Sequence, residues 1–169
     1  WRPLIIDLRG NTGGSVQSAL LISYLFARHL SDVMITYMSE NLPSESKQVI
    51  DLVPQGVIGL WSDAGRFADV SFVILTDKKT ASASEIFIGI MRDWRKTRLI
   101  GVHTFGKGVM ETVLNLPQGR SIALTTHEFL LGNSRIKVHG VGFSPDVEVV
   151  SEHAIIAGDE EYLDDRSLD

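Results

Sequence analysis

Near its start the chain carries Leu4-Ile5-Ile6-Asp7-Leu8-Arg9-Gly10-Asn11-Thr12-Gly13-Gly14, a short apolar run that ends in a glycine-rich turn. An apolar run of this length, bounded by glycines, is typical of a buried β-strand that leads into a tight loop. Ser15 is a residue type that caps helices, and the apolar residues after it fall on one broad helical face. The stretch therefore predicts a strand, a glycine-rich loop and a helix, in that order.

A second apolar run follows later in the chain. Residues 33–38 alternate loosely and predict one strand, and residues 70–75 predict another, fully buried strand. The motif Thr80-Ala81-Ser82-Ala83-Ser84-Glu85 comes next, and residues 86–94 predict a helix. Strands alternating with helices in this way indicate an α/β unit with parallel strands.

The pattern changes in the last third of the chain. Residues 109–116, 121–131 and 135–138 are strand-like and are separated by the turn signals Gln118-Gly119 and Gly132-Asn133. Short strands joined by such turns are typical of antiparallel hairpins. The fold class predicted for the chain is therefore α/β, with a parallel half followed by a more antiparallel β half.

Two segments lack this regularity. Residues 41–69 are rich in proline and glycine, with a short helix expected over 47–53, and so long a connection is typical of a lid or a binding loop. Residues 157–169 hold six acidic residues and one arginine, which accounts for the net charge of −5. The rest of the chain is therefore neutral.

Nucleic acid binding would need a basic face, and the sequence shows none. No nucleic acid partner is therefore expected.

The residue types present also limit the chemistry. The chain has no cysteine, which excludes disulfides, thiolate metal sites and a cysteine nucleophile. None of its five histidines stand four residues apart, the spacing of a helical zinc site. We expect no metal and no cofactor.

Two side chains are candidates for catalysis. Ser82 lies between a predicted strand and a predicted helix, where ligands of α/β sheets bind and where a helix dipole favours negative charge. A serine in that place can equally be a helix cap. Lys107 stands between two glycines in Thr104-Phe105-Gly106-Lys107-Gly108, at the join of the two halves. It is either a desolvated general base or an exposed turn lysine.

Four stretches of the chain together resemble the motifs of carboxyl-terminal processing peptidases. They are the turn at residues 7–14, the serine motif at 80–85, the lysine motif at 104–108 and the closing segment Gly140-Val141-Gly142-Phe143-Ser144-Pro145-Asp146-Val147. The motifs occur in the family's order, and the 25-residue separation of Ser82 from Lys107 is similar to the family spacing.

The resemblance implies a mechanism as well as a fold. It implies a serine endopeptidase with a Ser–Lys dyad that cleaves protein substrates near their C-termini, on a ββα core of the ClpP/crotonase type. Ser82 would be the nucleophile and Lys107 the general base. The backbone amides of Gly14 and Ala83 would form the oxyanion hole. Family members mostly act in the periplasm, the cell envelope or the thylakoid lumen, which implies an extracytoplasmic location.

The sequence departs from the family pattern in two respects. The family usually has a glutamine four residues after the lysine to orient its amine, whereas this chain has Glu111. A carboxylate there would favour the ammonium form of the lysine. The family also has a peptide-binding PDZ domain and further core segments upstream. We therefore expect residues 1–150 to be a peptidase core fragment, residues 151–169 to be an acidic tail, and the uncovered strand edge either to pair with another copy or to stay mobile.

Three other interpretations are open. His103 lies four residues before Lys107 and could pair with an acid as an alternative base. The chain could instead be a catalytically silent module that binds a ligand or peptide, as the retinoid-binding proteins of the eye do on this fold. A crotonase-like acyl-coenzyme A enzyme would share the oxyanion hole, but nothing in the sequence resembles an adenine or pantetheine site.

Overall fold

The computed structural model describes residues 4–27, 35–38, 65–95, 97–132 and 134–149. The helix expected over 47–53 and the acidic tail 151–169 lie outside these residues. In chain order the elements are β1 (Leu4–Asp7), α1 (Val16–Phe26), β2 (Ile35–Met38), β3 (Phe72–Thr76), α2 (Ala83–Arg95), β4 (Arg98–Gly101), β5 (Val109–Leu116), β6 (Arg120–Leu131), β7 (Ile136–Lys137) and β8 (Val147–Glu148). The predicted strands and both predicted helices in the described residues are confirmed.

One sheet is parallel, with strand order β1-β3-β4-β8. The prediction of a buried strand holds for β3, where Ile74 is fully buried, but it is wrong for the start of β1. Ile5 is 62% exposed because β1 lies at the edge of the sheet, with β3 as its partner in the described residues. Position in the sheet, and not apolar composition, decides how much of such a strand is covered.

The two helices pack against each other and against this sheet. Ser15 caps α1 as predicted, since its Oγ accepts a hydrogen bond from the backbone N–H of Ser18 at 3.3 Å. α2 begins at Ala83, three residues before the predicted start, and so contains the end of the serine motif. The core combines both halves of the fold and includes Leu20, Ile74, Ile86, Ile90, Met91, Leu99, Phe129 and Leu131. Neither described helix is long and apolar enough to cross a membrane.

The second sheet is antiparallel, with order β2-β6-β5 and β7 paired to β6. β5 and β6 form the predicted hairpin, whose connecting turn at residues 117–119 places Gln118 at a φ of 66°. The strand register shifts between Met110 and Glu111, four residues after the lysine. The base of β6 joins the common core through Phe129 and Leu131, while the distal part of the hairpin is exposed.

Candidate active site

Ser82 occupies the sharp turn between β3 and α2. Its φ is 55°, a left-handed conformation that costs a non-glycine residue roughly 1–3 kcal/mol and persists only where the surroundings hold it. The backbone N–H of Ile86 donates to the Ser82 carbonyl at 2.9 Å, and the N–H of Ser84 donates to the Ala81 carbonyl at 3.1 Å. The half-buried serine is thus held in a strained geometry at the N-terminus of a helix.

The glycine-rich loop after β1 packs directly on this turn. The carbonyl of Asn11 accepts hydrogen bonds from Ala81 N–H at 3.1 Å and from Ser84 Oγ at 3.2 Å. Gly13 has a φ of +104°, and a Cβ there would lie 2.8 Å from both the Ala81 oxygen and the Ser82 Cβ. A side chain at position 13 would therefore push the loop away from the serine.

Two backbone N–H groups beside Ser82 have no hydrogen-bond acceptor in the described part of the chain. In the described part of the chain, neither the N–H of Gly14 nor that of Ala83 donates a hydrogen bond. Ala83 is the first residue of α2, where a helix leaves its N–H groups without intrahelical acceptors. Gly14 and Ala83 line the same pocket, so the two predicted oxyanion-hole residues are neighbours.

Glu85 connects the turn at residues 81–83 (the serine turn) to the loop at residues 104–108 (the lysine loop). This fully buried carboxylate accepts four hydrogen bonds. Its Oε2 receives the N–H of Ser82 at 3.0 Å and that of Lys107 at 2.8 Å. Its Oε1 receives Thr104 Oγ1 at 2.6 Å and Gly106 N–H at 2.7 Å. One carboxylate therefore fixes the backbone of both candidate catalytic residues.

Sequence reasoning did not single out Glu85, although a local signal was present. A serine followed three residues later by glutamate before an apolar run is a capping box, in which the glutamate binds the N–H of the cap residue. Ser82 and Glu85 have this spacing and make this contact. The three contacts with residues 104–107 come from 19 to 22 positions away and have no local signature.

The lysine loop is held tightly by its glycines. Gly106 has a φ of +84°, and a Cβ there would lie 3.0 Å from the backbone nitrogen of Gly142. A Cβ at Gly108 would overlap the backbone of His139. The closing segment supports the same loop, because Phe143 N–H donates to Thr104 Oγ1 at 2.8 Å and Thr104 N–H donates to the Phe143 carbonyl at 3.1 Å.

The side chain of Lys107 points to Glu111. Its Nζ lies 3.4 Å from Glu111 Oε2, and the lysine side chain is 37% exposed. Among the described residues, Lys107 Nζ makes no hydrogen bond with Ser82 Oγ, although the backbones of the two residues are joined through Glu85. His103 is exposed and its Nδ1 lies 2.7 Å from the carbonyl oxygen of Thr104, with no carboxylate contact in the described part.

Carboxylates and cations outside the serine turn make further contacts around the parallel sheet. The side chain of Arg9 donates two hydrogen bonds to Asp7, at 2.9 and 2.8 Å, and these, with a third from the Arg9 backbone N–H, hold the pKa of that carboxyl below its usual value. Asp77 Oδ2 accepts the N–H of Gly10 at 2.8 Å. On the far side, Asp146 binds the N–H of Leu99 and the guanidinium of Arg92. The Asp77 contact joins the loops that follow β1 and β3, and the Asp146 contacts join the closing segment to β4 and α2.

Comparison with known proteins places the chain in a family. The model of peptidase family S41 matches residues 1–149. The chain is 30% identical over 166 residues to a CtpA-like serine protease of Staphylococcus haemolyticus, covering 95% of this chain and 31% of that protein. It is 29% identical over 151 residues to a chloroplastic C-terminal processing peptidase of Tetradesmus obliquus, covering 88% of this chain and 29% of that protein.

A solved structure has the same fold. The S41 protease of Bacteroides fragilis superposes with a TM-score of 0.71 at 23% identity, over 92% of this chain and 39% of that one. The predicted α/β fold of the ClpP/crotonase type is thereby confirmed. The chain spans about a third of the length of its curated relatives. With the family model matched from residue 1 to residue 149, this chain belongs to peptidase family S41.

Proposed function

We propose that this chain provides the catalytic core of a serine endopeptidase, with Ser82 as nucleophile and Lys107 as general base. The observation that carries the proposal is the buried Glu85 carboxylate, which binds the backbone N–H groups of both residues at 3.0 and 2.8 Å. Ser82 also has a left-handed conformation at a helix N-terminus, where the helix dipole favours the negative charge that develops during attack on a carbonyl.

The proposed reaction proceeds in two halves. Ser82 Oγ attacks the scissile carbonyl carbon while the neutral amine of Lys107 takes the hydroxyl proton. The N–H groups of Gly14 and Ala83 donate to the oxyanion, which the dipole of α2 also favours. The C–N bond then breaks, and the Lys107 ammonium gives its proton to the leaving amine. Water hydrolyses the acyl-serine with the same lysine as base, which frees the acid product and restores the serine.

Glu111 governs the availability of that amine in this proposal. Its carboxylate lies 3.4 Å from Nζ, and this contact holds the lysine amine against Glu111 and away from Ser82 Oγ. Lys107 therefore has to lose its proton and turn from Glu111 toward Ser82 before the first step. Catalytic hydrogen bonds often tighten only once substrate binds, so the separation in the free protein is compatible with this role.

The substrates and setting follow from the family. Proteins or peptides cleaved near their C-termini are the proposed substrates, since similar proteins are C-terminal processing proteases. We take residues 1–150 as the peptidase core and residues 151–169 as an acidic tail. An extracytoplasmic or organellar location fits the chloroplastic relative. Among the described residues β1 pairs with β3 on one side, and its other edge is the proposed pairing site for another copy of the chain.

A second candidate function is a silent module that binds peptides without cleaving them. The observation in its favour is that Lys107 Nζ contacts Glu111 and not Ser82 Oγ. If the carboxylate keeps the lysine side chain turned away, the site retains its peptide-binding groups but has no base within reach of Ser82. The two candidates differ in one property, the reactivity of the Ser82 hydroxyl.

Labelling and turnover in the full-length protein test both candidates. Under the peptidase proposal a fluorophosphonate labels Ser82, and Ser82→Ala and Lys107→Ala each lower peptide cleavage by at least ~10³-fold. Lys107→Arg fails too, because a guanidinium stays charged. Thermal unfolding of each variant controls for folding. Wild-type turnover by either alanine variant overturns the dyad, and a wild-type protein that neither labels nor cleaves supports the binding module.

A further inference from the structure

Phe105 projects from the lysine loop into solvent. It is 67% exposed, the largest exposed fraction among the large apolar residues in the described part of the chain. Phenylalanine is a residue type that is usually buried, yet single exposed apolar residues are common on protein surfaces. Exposure alone therefore gives Phe105 no role, and its surroundings decide what it can do. The catalytic steps proposed above do not use it.

The backbone that carries Phe105 is held from three directions. Its own N–H donates to the carbonyl of Thr80 at 2.9 Å. Of its two neighbours, Thr104 is buried and binds Glu85 through Oγ1 at 2.6 Å, and Gly106 binds the same carboxylate through its N–H at 2.7 Å. The ring is therefore presented on a pre-organised loop, so that a ligand contacting it has little backbone to order.

A second exposed apolar residue stands next to this loop. The N–H of Gly140 donates to the carbonyl of Gly106 at 3.0 Å, and Val141, which is 55% exposed, follows in the same turn. The N–H of Val141 closes that turn by donating to the carbonyl of Val138 at 3.0 Å. Phe105 and Val141 thus stand on two fixed backbones that are hydrogen-bonded to each other.

The proposed reaction brings the leaving part of the substrate to the same loop. Lys107 has to give its proton to the leaving amine, which requires the two nitrogens to come within roughly 2.6–3.2 Å of each other. That amine belongs to the first residue after the scissile bond. Phe105 stands two positions before Lys107, so their Cα atoms lie within about 7 Å of each other. The released C-terminal part of the peptide therefore begins beside Phe105.

We propose that Phe105 is a specificity-determining residue, which contacts an apolar side chain at one of the first two substrate positions after the scissile bond. This inference rests on the proposed peptidase function and adds selection of the released C-terminal fragment. An aromatic ring buries a large area with few rotatable bonds, and rigid aromatic anchors dominate the energetics of many binding surfaces. Val141 extends the apolar surface that such a side chain would cover.

A set of uncharged peptides tests the contact kinetically in the full-length protein. Leucine, alanine or glutamine is placed at the first or the second position after the scissile bond, so that no substrate charge can pair with Lys107 or Glu111. We expect Phe105→Ala to lower kcat/KM for leucine at one of these positions at least tenfold, because apolar contacts discriminate by roughly 10- to 200-fold. The loss for alanine and glutamine should stay below threefold.

Two matched variants control this measurement. Phe105→Leu retains an apolar side chain and should lose less than threefold on the leucine peptide. Val113→Ala shortens a similarly exposed apolar residue on β5, away from the lysine loop, and should leave all rates unchanged.

Photo-crosslinking locates the contact directly. Phe105→p-benzoylphenylalanine, combined with Ser82→Ala to keep the peptide whole, should crosslink to one of the first two residues after the bond that the wild-type protein cleaves. Val113→p-benzoylphenylalanine should give no crosslink. Mass spectrometry of the crosslinked peptide identifies the residue.

The outcomes separate the two levels of the proposal. A wild-type protein that cleaves none of the peptides refutes the peptidase function; crosslinks from position 105 to leucine but not glutamine peptides would then still support the apolar contact, and their absence would overturn it. Cleavage with an equal loss on all peptides in Phe105→Ala, with no loss, or with crosslinks only before the scissile bond overturns the role of Phe105 and leaves the peptidase function standing.

Discussion

Replacing Glu85 with glutamine keeps the shape of the side chain but removes one acceptor from a carboxylate that receives four hydrogen bonds. The amide of glutamine must face one of two donor pairs. If its NH₂ faced the N–H groups of Ser82 and Lys107, two backbone donors would be left unpaired. Facing Thr104 costs less, because the Thr104 hydroxyl can rotate and accept from the NH₂ group, and the N–H of Gly106 is then the one backbone donor of the four partners that loses its acceptor.

The expected loss of stability follows from that orientation. One N–H without an acceptor in a buried site costs about 1–3 kcal/mol, and the remaining bonds weaken because their acceptor is no longer charged. We expect the free energy of unfolding to fall by roughly 2–4 kcal/mol, against a typical total of 5–15 kcal/mol. The variant should fold, with its lysine loop less firmly held against the serine.

Urea denaturation and turnover measure the two effects separately. The urea midpoint should fall without a change in the m-value, and kcat/KM should fall at least tenfold, since misplacing a catalytic group by about 1 Å can cost 10²-fold. Glu148→Gln makes the same chemical change on the exposed strand β8 and should alter neither quantity. A Glu85→Gln variant with the stability and activity of the Glu148→Gln control would refute the reasoning.

Three further predictions concern the ion pairs and the glycine-rich loop. Glu111→Gln removes an exposed ion pair of about 0.2–1 kcal/mol that holds the Lys107 amine away from Ser82, so kcat/KM at pH 7 should rise about 1.4- to 5-fold. An unchanged kcat/KM would show that Glu111 does not control the position of the lysine. The pKa of Asp7 is lowered mainly by the side-chain hydrogen bond from Arg9, so the small stabilisation that the Asp7 carboxylate gives is present above pH 3.8 and is lost as the pH falls further. Asp7→Asn should therefore lower the urea midpoint at pH 7 but leave it unchanged at pH 2. An equal shift of the midpoint at both pH values would contradict this. Gly13→Ala places a Cβ 2.8 Å from the Ser82 Cβ and should abolish cleavage. The control Gly10→Ala meets nothing within 4 Å and should lower only the free energy of unfolding, by the ~1–2 kcal/mol of a left-handed alanine. Equal activity of the two variants would count against the close approach of Gly13 to Ser82.

The sequence predicts the positions of the helices and strands better than it predicts how the strands pair and how exposed they are. Apolar runs and turn residues correctly indicate β3, α1 and the β5–β6 hairpin, because these signals are local. The exposure of β1 is missed, since a strand's place at the edge of a sheet depends on which strands pair with it. The two residues of β8 are too short to produce any periodic signal.

In the candidate site, too, the local motifs could be predicted and the contacts between distant residues could not. The family motifs identify Ser82 and Lys107, and the departure at position 111 correctly draws attention to a carboxylate that contacts the lysine. The lack of a hydrogen bond between Lys107 Nζ and Ser82 Oγ in the described part of the chain could not be predicted, because the spacing of motifs does not fix side-chain rotamers. The role of Glu85 was hidden because most of its partners are distant in sequence.

The shared carboxylate of Glu85 also bears on when activity arises during synthesis. A chain made from its N-terminus exposes Glu85 before residues 104–107 are available to pair with it. Until they dock, burying the charge would cost several kcal/mol, so the helix N-terminus that carries Ser82 must stay hydrated. In the proposed peptidase, the backbone contacts that Glu85 makes with Ser82 and with Lys107 would therefore be complete only once residues 104–107 have docked. An incomplete chain would carry the serine without the geometry to cleave its neighbours.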